Sequence, residues 1–207
     1  MKTGNKTQIP EYEEVLSFWF GDDLDDPGSV RTASKRWFQK NRHFDAEIRS
    51  RFGTYPDAVM AGQLDEWLTD DQGLLGLILV LDQFPRNMYR NTPKSFAYDN
   101  AALRHALKAL DRNLHQRLHP LQTVFLYLPL EHSEDIQMQE RCVSGLQVLE
   151  QERGGIWREK ISGFLRYAIA HHEVIEKFGR FPHRNEMLGR DSTPAEKEFL
   201  ASGKGAF

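Results

Sequence analysis

The chain has 207 residues, of which 40% are apolar, 11% aromatic and 28% charged, enough bulk for a sizeable core and not the composition of an intrinsically disordered segment. Its single cysteine, Cys142, excludes an internal disulfide framework, and 27 basic against 30 acidic side chains lack the basic excess of a general nucleic-acid binder. The first fifteen residues hold no apolar core of a secretory leader, and the most apolar run, 74–81, is far short of the roughly 18–20 residues that span a bilayer, so a cytoplasmic protein with no membrane or nucleic-acid partner is expected.

Helical spacing recurs along the chain and no sustained alternation between hairpin turns is found, which predicts an all-α fold. Residues 1–10 are expected to be a flexible tail. A first helix is predicted over 12–20, with Val15, Leu16, Trp19 and Phe20 on one stripe, ended by Gly21 and a solvated acidic loop at 22–26. A second helical region spans 33–60, where Trp37, Phe38, Phe44, Ile48 and Phe52 recur and Pro56 forces a break. The run 74–84, LLGLILVLDQF, is apolar on all sides and predicts a helix surrounded by others and stopped by Pro85. Thr92 and Pro93 form the N-cap and first turn of the next helix, which carries Phe96, Ala101, Leu103, Leu107 and Leu110. A short apolar helix over 120–128 is broken by Pro129, Ser133 caps the helix that follows, and Gly154 and Gly155 make a loop. A long helix covers 156–178, and Thr193-Pro194-Ala195-Glu196 is a capping box for the last. Short helices joined by short turns predict stacked antiparallel hairpins in a single domain over 1–207.

An internal echo stands out. Phe84-Pro85-Arg86-Asn87, then Arg90 and Thr92-Pro93, recurs as Phe181-Pro182-His183-Arg184-Asn185, then Arg190 and Thr193-Pro194. Each copy follows an apolar helix and offers two arginines and an asparagine, planar donors suited to a carboxylate or phosphate. Between the copies lies Leu128-Pro129-Leu130-Glu131-His132-Ser133-Glu134-Asp135, which crowds titratable groups at a helix start.

With Leu81-Asp82-Gln83 before the first copy, Phe178-Gly179-Arg180 before the second, and Phe18-Trp19-Phe20-Gly21, Phe44-Asp45, His171 and Leu188-Gly189-Arg190 elsewhere, the chain resembles a mainly bacterial family known as domain of unknown function 924. The likeness covers almost the whole chain. It implies an all-helical, tetratricopeptide-like stack of hairpins and implies no reaction. Asn91 stands where that resemblance expects Gly, and Asn tolerates left-handed backbone almost as well.

Several residues could carry chemistry. Spacings of three and four place His132, Asp135 and Gln139 with Val143 on an inward face, and put His171 on the apolar stripe of Phe164, Ala168 and Ile175. His132 and His171 are candidate proton-transfer groups, with Asp135 or Asp82 orienting an imidazole; His132, His171 and a carboxylate also match the ligand types of a metal site, although no metal-binding spacing is present. Asp82, Arg86, Asn87, Glu131, Arg180, His183, Arg184, Asn185 and Arg190 are the candidate ligand-binding set. The expected partner is a small anionic molecule, bound and open to chemical change where the three motifs converge; the alternative is a peptide-binding helical module in which the same arginines merely pair with Asp82, Glu131, Glu134 or Asp135.

Overall fold

The computed structural model describes residues 11–21 and 23–203, apart from the side chains of Glu11 and Phe38; the expected tail at 1–10 lies outside the described residues. Ten α-helices and no strand occur among the described residues: α1 (Glu11–Phe20), α2 (Pro27–Phe38), α3 (Arg42–Phe52), α4 (Tyr55–Met60), α5 (Asp71–Met88), α6 (Asp99–Asp111), α7 (Pro120–Glu131), α8 (Ile136–Gln151), α9 (Gly155–Phe178) and α10 (Pro194–Ala201). Short 3-10 turns, Pro93–Phe96 and Pro182–Arg184 among them, join these helices. Each helix from α5 to α8 packs on its successor, and α5 also meets α1, α3, α4 and α7. Among the described residues, no helix is long and apolar enough to cross a membrane.

The all-round apolar run is the centre of the packing, since Leu74, Leu75, Leu77, Ile78, Leu79, Val80 and Leu81 are all at most 1% exposed. At one side of α5, Trp19 stacks with Trp37 and meets Phe44, Phe84 and Phe125, while the Trp37 indole N–H donates to the Trp19 carbonyl over 2.8 Å. Gly21 ends α1 at φ +80°, a conformation that excludes most side chains, and Asn91 takes φ 59° in its turn.

Four local expectations are corrected. The region 33–60, expected to break at Pro56, also breaks between α2 and α3, and α2 starts earlier because Asp26, read as loop, caps it by accepting from the Ser29 N–H at 2.7 Å. Pro85 does not stop α5, nor Pro129 α7; each lies in a last turn that continues to Met88 and Glu131. A proline there costs one backbone donor, and burial of Asn87, Met88, Leu130 and Glu131 keeps each turn helical. Thr92 makes no side-chain cap, and its hydroxyl instead donates to the Tyr89 carbonyl at 2.7 Å. The residue capping α8 is Asp135 rather than Ser133, its carboxylate accepting from the Gln137 N–H at 2.8 Å.

Two apolar clusters result. The larger runs from Val15 to Ala168, and a smaller one holds Val174, Ile175 and Phe181 with Ile136, Phe178 and Phe199 packed on it. His171 is the buried step of the α9 stripe between Ala168 and Val174, so the polar motifs meet where one apolar cluster gives way to the other.

Candidate functional site

The last two turns of α5 carry Asp82 and, just beyond Pro85, Arg86 to this seam. Asp82 is wholly buried. Its Oδ1 lies 2.7 Å from His132 Nδ1 and 3.2 Å from the Arg86 guanidinium, and its Oδ2 accepts from Gln83 at 2.6 Å. Burial alone would favour the neutral acid, but Arg86 and His132 outweigh it and hold the carboxyl well below the usual carboxylate range. An ionised carboxylate can only accept, so His132 Nδ1 carries the proton and Nε2 is left with its lone pair. Burial and Arg86 keep that imidazole neutral, against the pull of Asp82.

Arg86 is committed on two fronts. It donates to the Asp82 carbonyl at 2.6 Å and makes a two-pronged contact with Asp99, at 2.9 and 3.0 Å. Asp99 opens α6, and its Oδ2 also receives Arg184 at 3.4 Å. The two Phe-Pro turns therefore meet across one carboxylate. The sequence had not singled Asp99 out, because an aspartate in the first turn of a helix is ordinary.

Arg184 stands apart from the other arginines. It is 6% exposed and its guanidinium lies 4.7 Å from the Phe96 ring centre and 4.4 Å from that of Phe181; among the described residues its single long bond to Asp99 is its one ion pair and its Nε has no hydrogen-bond partner. Burial and the neighbouring Arg86 lower its pKa to about 10. By contrast, Arg90 grips Asp45, which also accepts from Asn87 at 2.9 Å, and Arg180 grips Glu196 at 2.6 and 2.8 Å. Arg190 grips Glu134 at 2.6 and 2.9 Å, and Glu134 accepts the Phe181 N–H at 2.8 Å as well.

Glu131, the last residue of α7, is 4% exposed. Burial and the nearby negative charge of Asp82 push its pKa up to about 8, which keeps it protonated at neutral pH. One of its oxygens is 3.4 Å from His171 Nδ1 and the other has no hydrogen-bond partner. His171 Nδ1 also faces the Tyr167 carbonyl at 2.9 Å. Burial lowers the pKa of His171 to about 3, with His132, His183 and Arg184 contributing, and burial with Arg184 lowers that of His183 to about 4. Gln139, fully buried, donates to the Glu131 and Ser133 carbonyls at 2.6 and 2.7 Å and so ties off the end of α7.

The predicted set thus divides. Asp82, Arg86, Glu131, His132, His171, His183 and Arg184 come together with Asp99. Asn87 belongs to the Asp45 contact, Arg180 to Glu196, Arg190 to Glu134, and Asn185 to Ser192 at 3.1 Å, so these four support the turns from outside the cluster. Asp135, expected to face inward, is exposed and occupied as a helix cap. No group of three or more His, Cys, Asp or Glu side chains among the described residues is arranged to hold a metal ion.

A family model described as a bacterial protein of unknown function (DUF924) matches residues 15–204. The chain belongs to this family. A solved structure from Agrobacterium tumefaciens, described as protein of unknown function ATU0120, has a TM-score of 0.76 and 35% sequence identity over 92% of this chain and 96% of that chain. No curated protein matches.

Proposed function

We propose that this DUF924 protein binds a small anionic metabolite at Arg184 and exchanges a proton with it through His132. The observation that carries this reading is the contrast among the arginines. Arg86, Arg90, Arg180 and Arg190 each have a two-pronged carboxylate, whereas Arg184 is a buried cation whose one ion pair among the described residues is long and single-pronged. A buried guanidinium short of acceptors gains from an incoming carboxylate or phosphate. Nearby, the Asp82–His132 pair holds an imidazole in the tautomer of a general base, and Glu131 supplies a carboxylic acid protonated at neutral pH.

The alternative, a peptide-binding module, is favoured by one feature, an open groove of about 790 Å³ with Tyr12, Leu16, Phe20 and Leu24 along it. It lies among α1 and the starts of α5 and α7, away from the three motifs. The test is thermal stabilisation by phosphate, sulfate and small carboxylates, in wild type and in Arg184→Ala. Stabilisation of wild type that disappears in the variant supports the anion site; no stabilisation by any of them removes it and leaves the groove as the better reading.

A further inference from the structure

Resting on the anion site proposed above, the arrangement around Arg184 carries a consequence for how a ligand enters. We propose that binding there is proton-coupled: a small anion beside Arg184 draws up to one proton from solvent onto the imidazoles of His132, His171 and His183.

The geometry puts these rings in a connected row. His132 and His171 are 6.4 Å apart between ring centres, His171 is 5.4 Å from Phe181, and Phe181 is 5.5 Å from His183 and 4.4 Å from the Arg184 guanidinium. The charged and titratable groups around them come from every packed element: Asp82 and Arg86 on α5, Asp99 on α6, Glu131 and His132 at the end of α7, Glu134 in the turn before α8, His171 on α9, His183 and Arg184 in the 3-10 turn, and Arg190 after it.

An added negative charge raises the proton affinity of every one of these groups. Glu131 already holds its proton at neutral pH, so it has none to gain. Asp82 is held ionised between Arg86 and His132, and Glu134 by Arg190. The imidazoles remain. They are neutral chiefly because they are buried; Arg184 adds to this at His171 and His183 and Arg86 at His132 and His183, and an anion on Arg184 opposes these arginine contributions. All responses have the same sign, so uptake does not depend on which ring accepts the proton. By reciprocity, lowering the pH tightens anion binding, by up to about tenfold per pH unit where one full proton is taken up.

Sulfate is the probe, since it has no proton of its own to exchange near neutrality. Calorimetric titration of the full chain at pH 6.5, in two buffers of different ionisation enthalpy, reads the protons taken up. Histidine ring resonances, followed against pH with and without saturating sulfate, read where they go. The expected results are apparent enthalpies that differ between the two buffers in the sense of proton uptake, and at least one histidine midpoint raised by sulfate. Sulfate binding with equal enthalpies and unmoved midpoints overturns the proton coupling and leaves the anion site intact. Absence of binding by sulfate and by acetate overturns both. Neither readout needs a variant, so a substitution that fails to fold does not enter.

Discussion

The two Phe-Pro turns share their letters and differ in almost every physical respect. In the first, Pro85 sits inside α5 and Phe84 packs among Phe18, Trp19 and Phe52, so Arg86 emerges from the middle of the core with two carboxylates to hold. In the second, Pro182 begins a 3-10 turn, Phe181 is bordered by imidazoles and a guanidinium, and Arg184 donates only to an Asp99 oxygen that Arg86 already holds. One turn is a structural tie and the other ends in an under-used cation. The echo is therefore a likeness of turn chemistry, and equal behaviour of the two arginines is not expected.

Replacing them is the sharpest way to break this comparison. Arg86→Ala leaves Asp82 buried without its guanidinium and is expected to cost about 3–5 kcal/mol in urea unfolding, a large share of a typical domain's stability. Glu134→Ala removes the acceptor of both Arg190 and the Phe181 N–H, and a cost of about 1–3 kcal/mol is expected by the same measurement. If Glu134→Ala costs more than Arg86→Ala, the second turn is the principal tie and the contrast is reversed.

The pH dependence sharpens the comparison further. Glu131 binds its proton more tightly folded, up to about 8, than unfolded, so it contributes stability that is lost as pH rises from the ordinary carboxyl range through 8. The neutral His171 and His183, at about 3 and 4, bind protons less tightly folded, so their contribution grows as pH rises toward the usual histidine value near 6.5. Two histidines outweigh one glutamate below that value, which puts the maximum melting temperature near pH 6.5. Glu131→Gln should flatten the decline between pH 6.5 and 8; an unchanged decline would place its origin elsewhere.

The smallest stability effect is expected for Arg184→Ala. Asp99 keeps Arg86, relief of repulsion between the two guanidiniums offsets the lost contacts with Phe96 and Phe181, and the urea midpoint should stay within about 1 kcal/mol of wild type. Stabilisation by sulfate should vanish. A loss as large as that of Arg86→Ala would make both turns structural.

Much of this molecule was legible in its letters because helices are written locally. The 3.6-residue stripe, the all-round apolar run in α5 and the Thr193 capping box depend on neighbours within a few residues, and all appear where the patterns place them. Pro85 and Pro129 mark the limit of local rules. A proline's missing N–H is a fixed penalty, but whether a helix continues past it depends on what the next turn buries, and that is contributed by other helices. The partners of the arginines lie farther still. Arg86, Arg184 and Arg190 look alike in sequence, and what separates them is that Asp99 reaches two of them while Glu134, 56 residues from Arg190, reaches the third. Charge and hydrogen-bond capacity belong to the residue. Whether that capacity is already spent on a carboxylate or left open to a ligand is set by distances of 3 Å between distant segments, and those exist only in the folded chain.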